Sequence, residues 1–251
     1  MNPNFYLTEI FSESISPILF LDFDGTVSRR DVIDAILEEF ADERWLETEE
    51  EWLAGKIGSR ECLHRQFSFV QAAPEELNEF LDTLELDEGF LPLLRFCSES
   101  GVAVHIVSDG FENYIRRMIQ KASLNPPLAE NVKVWSNRLI PHSKNRWRTV
   151  FPYFEKVCAD GCATCKPAVM RLNNFCDAPS IFVGDGLSDR FAAQTANVVF
   201  AKKKLADFCL QNRIPQTAYN SLKQVAESLD QAYETFALTL SDKRRSWLEA
   251  A

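Results

Sequence analysis

No stretch of this 251-residue sequence approaches the ~18 uninterrupted apolar residues that a membrane span requires. The first twenty residues carry no basic segment, and Glu9 and Glu13 break up their apolar residues, so they do not read as a secretory signal. Basic residues are in deficit: 27 Lys and Arg stand against 37 Asp and Glu, for a formal net charge of -10. That balance argues against nucleic acid or an anionic membrane as partner. It leaves room for a small anion, because a metal ion or a local cluster of cations reverses the field inside a pocket. The cysteines number seven, an odd count in a chain much longer than a disulfide scaffold, and imply a reducing compartment. A cytoplasmic protein, monomeric or homodimeric, is expected. Internal repeats and low-complexity tracts are absent. What is present is 46% apolar residues, including 19 Phe, enough for one sizeable core with a small additional domain.

Four short apolar runs punctuate the chain: Pro17 to Asp22, Val102 to Val107, Ser180 to Val183 and the weaker Asn197 to Ala201. None alternates with polar residues, so they fit parallel strands buried on both faces. Helical patterns lie between them, at about 88–99, 111–122, 166–176 and 187–195, with a further helix near 219–234 and a polar, frayed tail from Ser241. Strands alternating with helices predict an α/β, Rossmann-like parallel sheet with helices on both faces. Ligands of such sheets bind at the carboxyl ends of the strands. Residues 28–84 interrupt the alternation with helices only, near 31–41, 43–55, 59–72 and 75–83. The segment is long for a crossover and predicts a small all-helical insertion, residues 28–84, in a core formed by 1–27 and 85–251.

Acids and glycines cluster where the apolar runs end. Asp22-Phe-Asp24-Gly-Thr26 places two carboxylates on one side of an extended strand. Such a pair suits a hard cation such as Mg2+, or a nucleophile beside a general acid. Asp185-Gly-Leu-Ser-Asp189 sets two more acids around a strand end and the next helical turn, completing an oxygen shell for the ion. Ser108-Asp109-Gly110 combines a hydroxyl with free amides at a helix start, a phosphate cradle. Lys166, followed by Pro167, opens another helix, where its amine can neutralise a phosphate or a nucleophile.

These four motifs, in this order, resemble those of the haloacid dehalogenase superfamily of phosphohydrolases over residues 17 to about 200. The resemblance implies that Asp22 attacks phosphorus and that Asp24 protonates the leaving oxygen and then activates water. It implies a Mg2+ ion held by Asp22, the Asp24 carbonyl and Asp185, with Asp189 supporting the ion's outer shell or Lys166. Thr26, Ser108 with Asp109 and Gly110, and Lys166 would bind the phosphoryl group. An acid at position 24 points to phosphate esters rather than carbon–halogen bonds, since an alkoxide leaves poorly without a proton. The helical insertion resembles the cap of phosphoserine phosphatase-like members, and most of all the methionine-salvage branch, the 2-hydroxy-3-keto-5-methylthiopentenyl-1-phosphate phosphatases. Asp31 and the segment Ser59 to Phe67, with Glu61 and Arg65, carry that likeness, and Asp31 and Arg65 become candidates for substrate contact. Cys62 and His64 stand where that branch commonly carries glycines. A small phosphorylated metabolite is the expected partner. A phosphotransferase or mutase on the same fold, and a non-catalytic phosphate-binding protein, are the alternatives.

Other residues have plainer readings. Cys158, Cys162 and Cys165 have zinc-like spacing, with His142 or Cys176 nearest as a fourth ligand, against a simple cluster of reduced thiols. His105 reads as a packed core residue, and Lys202 to Lys204 as a solvated helix start.

Overall fold

The computed structural model describes residues 15–122 and 130–250, together with Leu7 and residues 9–11. Seven strands form one sheet in the order β4-β3-β2-β1-β5-β6-β7. They are β1 (Ile18–Leu21), β2 (Ala103–Phe111), β3 (Lys133–Ser143), β4 (Arg146–Val150), β5 (Ser180–Gly184), β6 (Val198–Ala201) and β7 (Thr217–Ala218). All neighbours are parallel except β3 and β4. Ten α-helices are present among the described residues: α1 (Val32–Phe40), α2 (Trp45–Leu53), α3 (Ser59–Phe69), α4 (Pro74–Leu81), α5 (Phe90–Ser100), α6 (Glu112–Ala122), α7 (Lys166–Leu172), α8 (Arg190–Thr195), α9 (Lys203–Gln211) and α10 (Leu222–Ala250).

β1 occupies the middle because its residues have no polar face to show to water. Leu19 and Leu21 join the large cluster on one side of the sheet, and Phe20 joins Phe182 and Val107 on the other. The period-two alternation therefore divides one apolar run between two cores. Leu21 is level with Ile106 of β2 and Val183 of β5. Asp22 then follows at the carboxyl edge, its amide donating to the Val183 carbonyl at 2.9 Å. From β1 the chain pairs outward through β2 and β3 on one side and through β5 and β6 on the other. The crevice created by such a reversal of strand order is the general ligand position in open parallel sheets.

Helices α1 to α4 fill the predicted insertion. The chain enters and leaves it through adjacent segments, where Ser28 and Leu86 form an antiparallel bridge. Pro74 starts α4, and Glu76 accepts from the Ala73 amide at 2.8 Å, closing the helix start. The insertion is fastened to the sheet by an element that the sequence reading lacks, the β3–β4 hairpin. Its turn places Asn145 in the left-handed region (φ 61°), which Asn tolerates. From there the Asn145 carbonyl accepts from the Ala72 amide at 3.1 Å, the Trp147 indole donates to the Ala72 carbonyl at 3.0 Å, and Thr149 Oγ1 lies 3.0 Å from His64 Nδ1.

Several boundaries differ from expectation. The second strand runs through Ser108 to Phe111, so the expected phosphate cradle forms a strand end, with α6 starting at Glu112. The helix expected at 187–195 opens with a 3-10 turn, Leu187–Asp189, which swings Asp189 back under the strand end. α7 stops at Leu172, well before Cys176. The expected fray beyond Ser241 is replaced by helix, because α10 continues to Ala250. α9 begins at the helix start expected at Lys202 to Lys204, whereas β7 was not anticipated.

His105 lies in the core as expected, stacked on Trp135, whose indole donates to its Nδ1 at 3.2 Å. Burial, with Lys133 nearby, pushes its pKa down from 6.5 to about 4. The folded state therefore keeps His105 neutral while the unfolded chain takes up a proton below pH 6.5. Its contribution to stability is complete above that pH and drains away as pH falls toward 4. His105→Gln, which keeps an acceptor for Trp135, is expected to abolish up to about 3 kcal/mol of this acid-dependent loss. Urea unfolding of both proteins between pH 7 and 4 measures it.

Candidate active site

Six of the residues singled out from the sequence meet at the carboxyl edge of β1, β2 and β5: Asp22, Asp24, Ser108, Lys166, Asp185 and Asp189. All are buried. The Lys166 ammonium sits between two carboxylates, 2.6 Å from Asp22 Oδ1 and 2.5 Å from Asp189 Oδ1. Burial works against its charge, but Asp189 and Asp22 outweigh that cost and hold its pKa above the ordinary lysine value. The second oxygen of Asp189 accepts the Asp185 and Gly186 amides, each at 3.0 Å, so Asp189 fixes both the lysine and the loop that carries Asp185.

Oxygens from Asp22, Asp185 and Asp189 lie within 4.8 Å of one another, the one such group of possible metal ligands among the described residues. An all-oxygen, all-carboxylate set suits a hard cation such as Mg2+ and not a soft one. The Asp24 carboxylate is outside this group. It accepts from Ser108 Oγ at 3.1 Å, from the Val32 amide at 3.2 Å and from the Tyr114 hydroxyl at 2.9 Å to either oxygen. Burial raises its pKa to about 6, the three donors opposing the rise. Asp22 is pushed up as well, by burial and by the charge of Asp189, with Lys166 pulling the other way. A bound divalent cation would relieve that crowding of negative charge.

Above these residues a cavity of about 340 Å³ opens between sheet edge and helical insertion. Asp22, Asp24, Asp109 and Asp185 line its floor, while Lys166, Ser108 and Asp189 lie one layer deeper. The insertion contributes Asp31, Asp34, Glu49, Trp52, Leu63 and Gln66 to its walls. Asp31 caps α1 by accepting the Asp34 amide at 3.1 Å, and burial beside Asp24 holds its carboxyl well above the usual range. The Glu49 carboxylate is likewise raised by burial and accepts from the Gln66 amide at 2.9 Å.

Other candidates are placed differently. Arg65 is not on the cavity wall: its guanidinium is exposed and paired with Glu51 and Glu61. The Asp109 carboxylate is taken up by Ser59 Oγ at 2.8 Å and the Thr164 amide at 2.8 Å, tying α3 to the loop before Lys166. Thr26 is fully buried, its hydroxyl 3.4 Å from Asp185 Oδ1 and from the Tyr219 hydroxyl. Cys158 and Cys162 bring their sulfurs to 3.7 Å, but the three clustered cysteines form no metal-ligand group with one another or with His142 or Cys176.

Tyr114, Glu49 and Gln66 join the site without a signal in the sequence. The expected solvated helix start holds at Lys202 to Lys204, with Lys203 and Lys204 exposed, and these two lysines also reach the cavity. Lys203, in the left-handed region at φ 49°, places its amine 2.8 Å from Asp185 Oδ2. Position 185 attracts it because the buried acids exceed the one buried lysine.

A parallel sheet whose central strand ends in a carboxylate beside a buried lysine defines a class. The profile of the haloacid dehalogenase-like hydrolases matches residues 19–194, and the chain belongs to that family. It is a hydrolase of the phosphatase type. A relative from Geobacillus thermodenitrificans, 28% identical over 215 residues (84% of this chain and 94% of the relative), is a 2-hydroxy-3-keto-5-methylthiopentenyl-1-phosphate phosphatase. A Bacillus cereus protein of the same name is 27% identical over 222 residues, 86% of this chain and 97% of its own. Among solved structures, the phospho-aspartyl intermediate analogue of a phosphoserine phosphatase superposes with a TM-score of 0.64 at 18% identity, covering 84% of this chain and 97% of that one. It shares the fold. No helix among the described residues is long and apolar enough to cross a membrane.

Gly25 turns the chain at φ 73°, and a methyl there would fall 2.5 Å from Asp185 Oδ2. Gly25→Ala is expected to cost at least about 1–2 kcal/mol from the left-handed backbone alone. Urea denaturation measures the cost, and weakened Mn2+ binding by calorimetry would report the displacement of Asp185.

Proposed function

We propose that this hydrolase is a Mg2+-dependent phosphatase that cleaves a small, uncarboxylated phosphate monoester through an aspartyl-phosphate on Asp22. The observation that carries the reading is the convergence of Asp22, Asp185 and Asp189 on one point, with Lys166 bonded to two of them. Asp22 attacks phosphorus in line while Asp24 gives its proton to the departing oxygen. Asp24, now a carboxylate, then takes a proton from the water that hydrolyses the acyl phosphate. A pKa near 6 suits a group that must act first as acid and then as base. Lys166, with the Ser108 hydroxyl and the amides around Gly110, offsets charge on the equatorial oxygens. When bound, Mg2+ supplies Lewis-acid neutralisation of the phosphoryl charge. Residues 28–84 act as a cap that excludes bulk water and selects the leaving group.

The cap wall supports the choice of substrate. The cap residues on the cavity include three acids and an amide and no cation, since Arg65 is engaged outside. A leaving group with a free carboxylate, such as serine, finds no cation on the cap side, where it meets Glu49 and Asp34; of the lysines on the core side, Lys203 is paired with Asp185 and Lys204 is drawn on by both of those acids. Trp52, Ile33 and Leu63 offer an apolar surface. A hydroxylated, thioether-bearing enol phosphate fits both features, and the relatives' 2-hydroxy-3-keto-5-methylthiopentenyl-1-phosphate is the substrate we favour.

In a panel of phosphate monoesters, kcat/KM for that enol phosphate is expected to exceed the value for phosphoserine at least ten-fold, about 1.4 kcal/mol of discrimination. Free phosphate should appear without an added acceptor, separating a hydrolase from a phosphotransferase. Asp22→Asn is expected to lose more than about a thousand-fold in turnover. EDTA should abolish activity and Mg2+ restore it. Activity in Asp22→Asn equal to wild type would refute the covalent route.

A further inference from the structure

Tyr114 has no part in the chemistry laid out above, yet its side chain is fully buried and its hydroxyl lies 2.9 Å from both carboxylate oxygens of Asp24. It arrives from the first turn of α6, its ring packed against Phe23 and Phe111 with centroids at 5.9 and 6.1 Å. Room for the hydroxyl depends on Gly110. A methyl at that position would stand 2.0 Å from the Tyr114 oxygen and 2.5 Å from Asp24 Oδ2. Both the packing and the gap beside it are therefore shaped around this one contact.

A carboxylate has about four acceptor sites. The Val32 amide takes one on Oδ1, the Ser108 hydroxyl one on Oδ2, and Tyr114 bridges the two. Two of these donors have other duties. Ser108 is assigned above to a phosphoryl oxygen, so substrate draws it away from Asp24. Val32 belongs to the first turn of α1 and would move with the cap. Tyr114 and Asp24 both belong to the core, and neither substrate nor cap movement separates them.

We propose that Tyr114 is a positioning residue for Asp24, anchoring the carboxyl group so that the site on Oδ2 vacated by Ser108 stays aimed at the leaving-group oxygen. Tyr114 keeps its own proton throughout and relays none. The proposal rests on the assignment of Asp24 as the general acid. A misplaced acid matters in proportion to how badly the leaving group needs its proton. p-Nitrophenolate departs almost unaided, whereas phenolate benefits from protonation. The parameter kcat/KM covers only the steps up to departure of the leaving group, so it isolates this effect from later hydrolysis of the acyl phosphate.

The test compares kcat/KM of wild type, Tyr114→Phe and Asp24→Asn on p-nitrophenyl phosphate and phenyl phosphate with Mg2+. Tyr114→Phe is expected to lose about ten-fold more on phenyl phosphate than on p-nitrophenyl phosphate, a bias in the same direction as that of Asp24→Asn. An equal loss on both substrates, or no loss, would reduce Tyr114 to a packing residue and overturn the proposal. If Asp24→Asn itself shows no bias, the assignment of the acid fails and takes the proposal with it; bias in Asp24→Asn alone removes only the role of Tyr114. Circular dichroism establishes folding of the variants. Should Tyr114→Phe not fold, Tyr114→Met, whose flexible side chain fills the space of the ring without a hydroxyl, is expected to show the same bias, and its absence would overturn the proposal.

Discussion

Four buried aspartates share one buried ammonium, and the surrounding structure answers to that imbalance. Asp22, Asp24, Asp185 and Asp189 are each no more than 8% exposed, as is Lys166 at 1%. Stacking that much negative charge out of water is unfavourable unless each carboxylate has a specific partner. Asp189 takes Lys166 and two amides, Asp24 takes three donors, and Asp185 recruits Lys203 from the surface. Asp22 shares the lysine and otherwise faces the cavity. Under the proposed function, that local field would favour a divalent cation and then a phosphate, and so let an acidic protein accept an anionic substrate.

The sheet makes this arrangement possible. Strand ends are rigid, evenly spaced and bare of side-chain competition, so carboxylates mounted one residue beyond β1 and β5 are held at nearly fixed separation. Registers of β1 with β2 and β5 set Asp22 level with the last residues before Ser108 and Asp185. Glycines 25 and 110 sit where neighbouring side chains come too close for a Cβ. The floor of the candidate site belongs to the core, and the helical insertion contributes walls and one amide.

Much of this was legible in the sequence because the informative residues are contiguous. An apolar run that ends in acid and glycine reports strand, edge and site together, and three such runs name the same edge. The β3–β4 hairpin was not legible. Its rim strands alternate Val134, Ser136 and Arg138 with residues of mixed character, and its turn uses Lys144-Asn145 rather than a strong turn pair. Tyr114 carried no signal, since an aromatic on an amphipathic helix is usually only core; a glycine two residues past Ser108 was the single hint of a close approach. Arg65 looked functional by its neighbours in sequence, but a helical side chain's direction is settled by packing, and Glu51 and Glu61 hold it on the outer face. Lys203 is solvated as expected, but its pairing with Asp185 was not legible because that partner lies 18 residues away, across a strand and a helix.

The amide of Val32, donated across from the helical insertion to Asp24, carries a consequence for how such enzymes diversify. A lineage that exchanges its lid for another, by recombination or by design, changes which molecule enters. It also inherits or loses a hydrogen bond to Asp24, the proposed proton donor. If Asp24 delivers the proton as proposed, substrate range and proton delivery are then not independent modules, and a transplanted lid keeps this hydrogen bond only if its first helical turn presents a backbone N–H at the same spot.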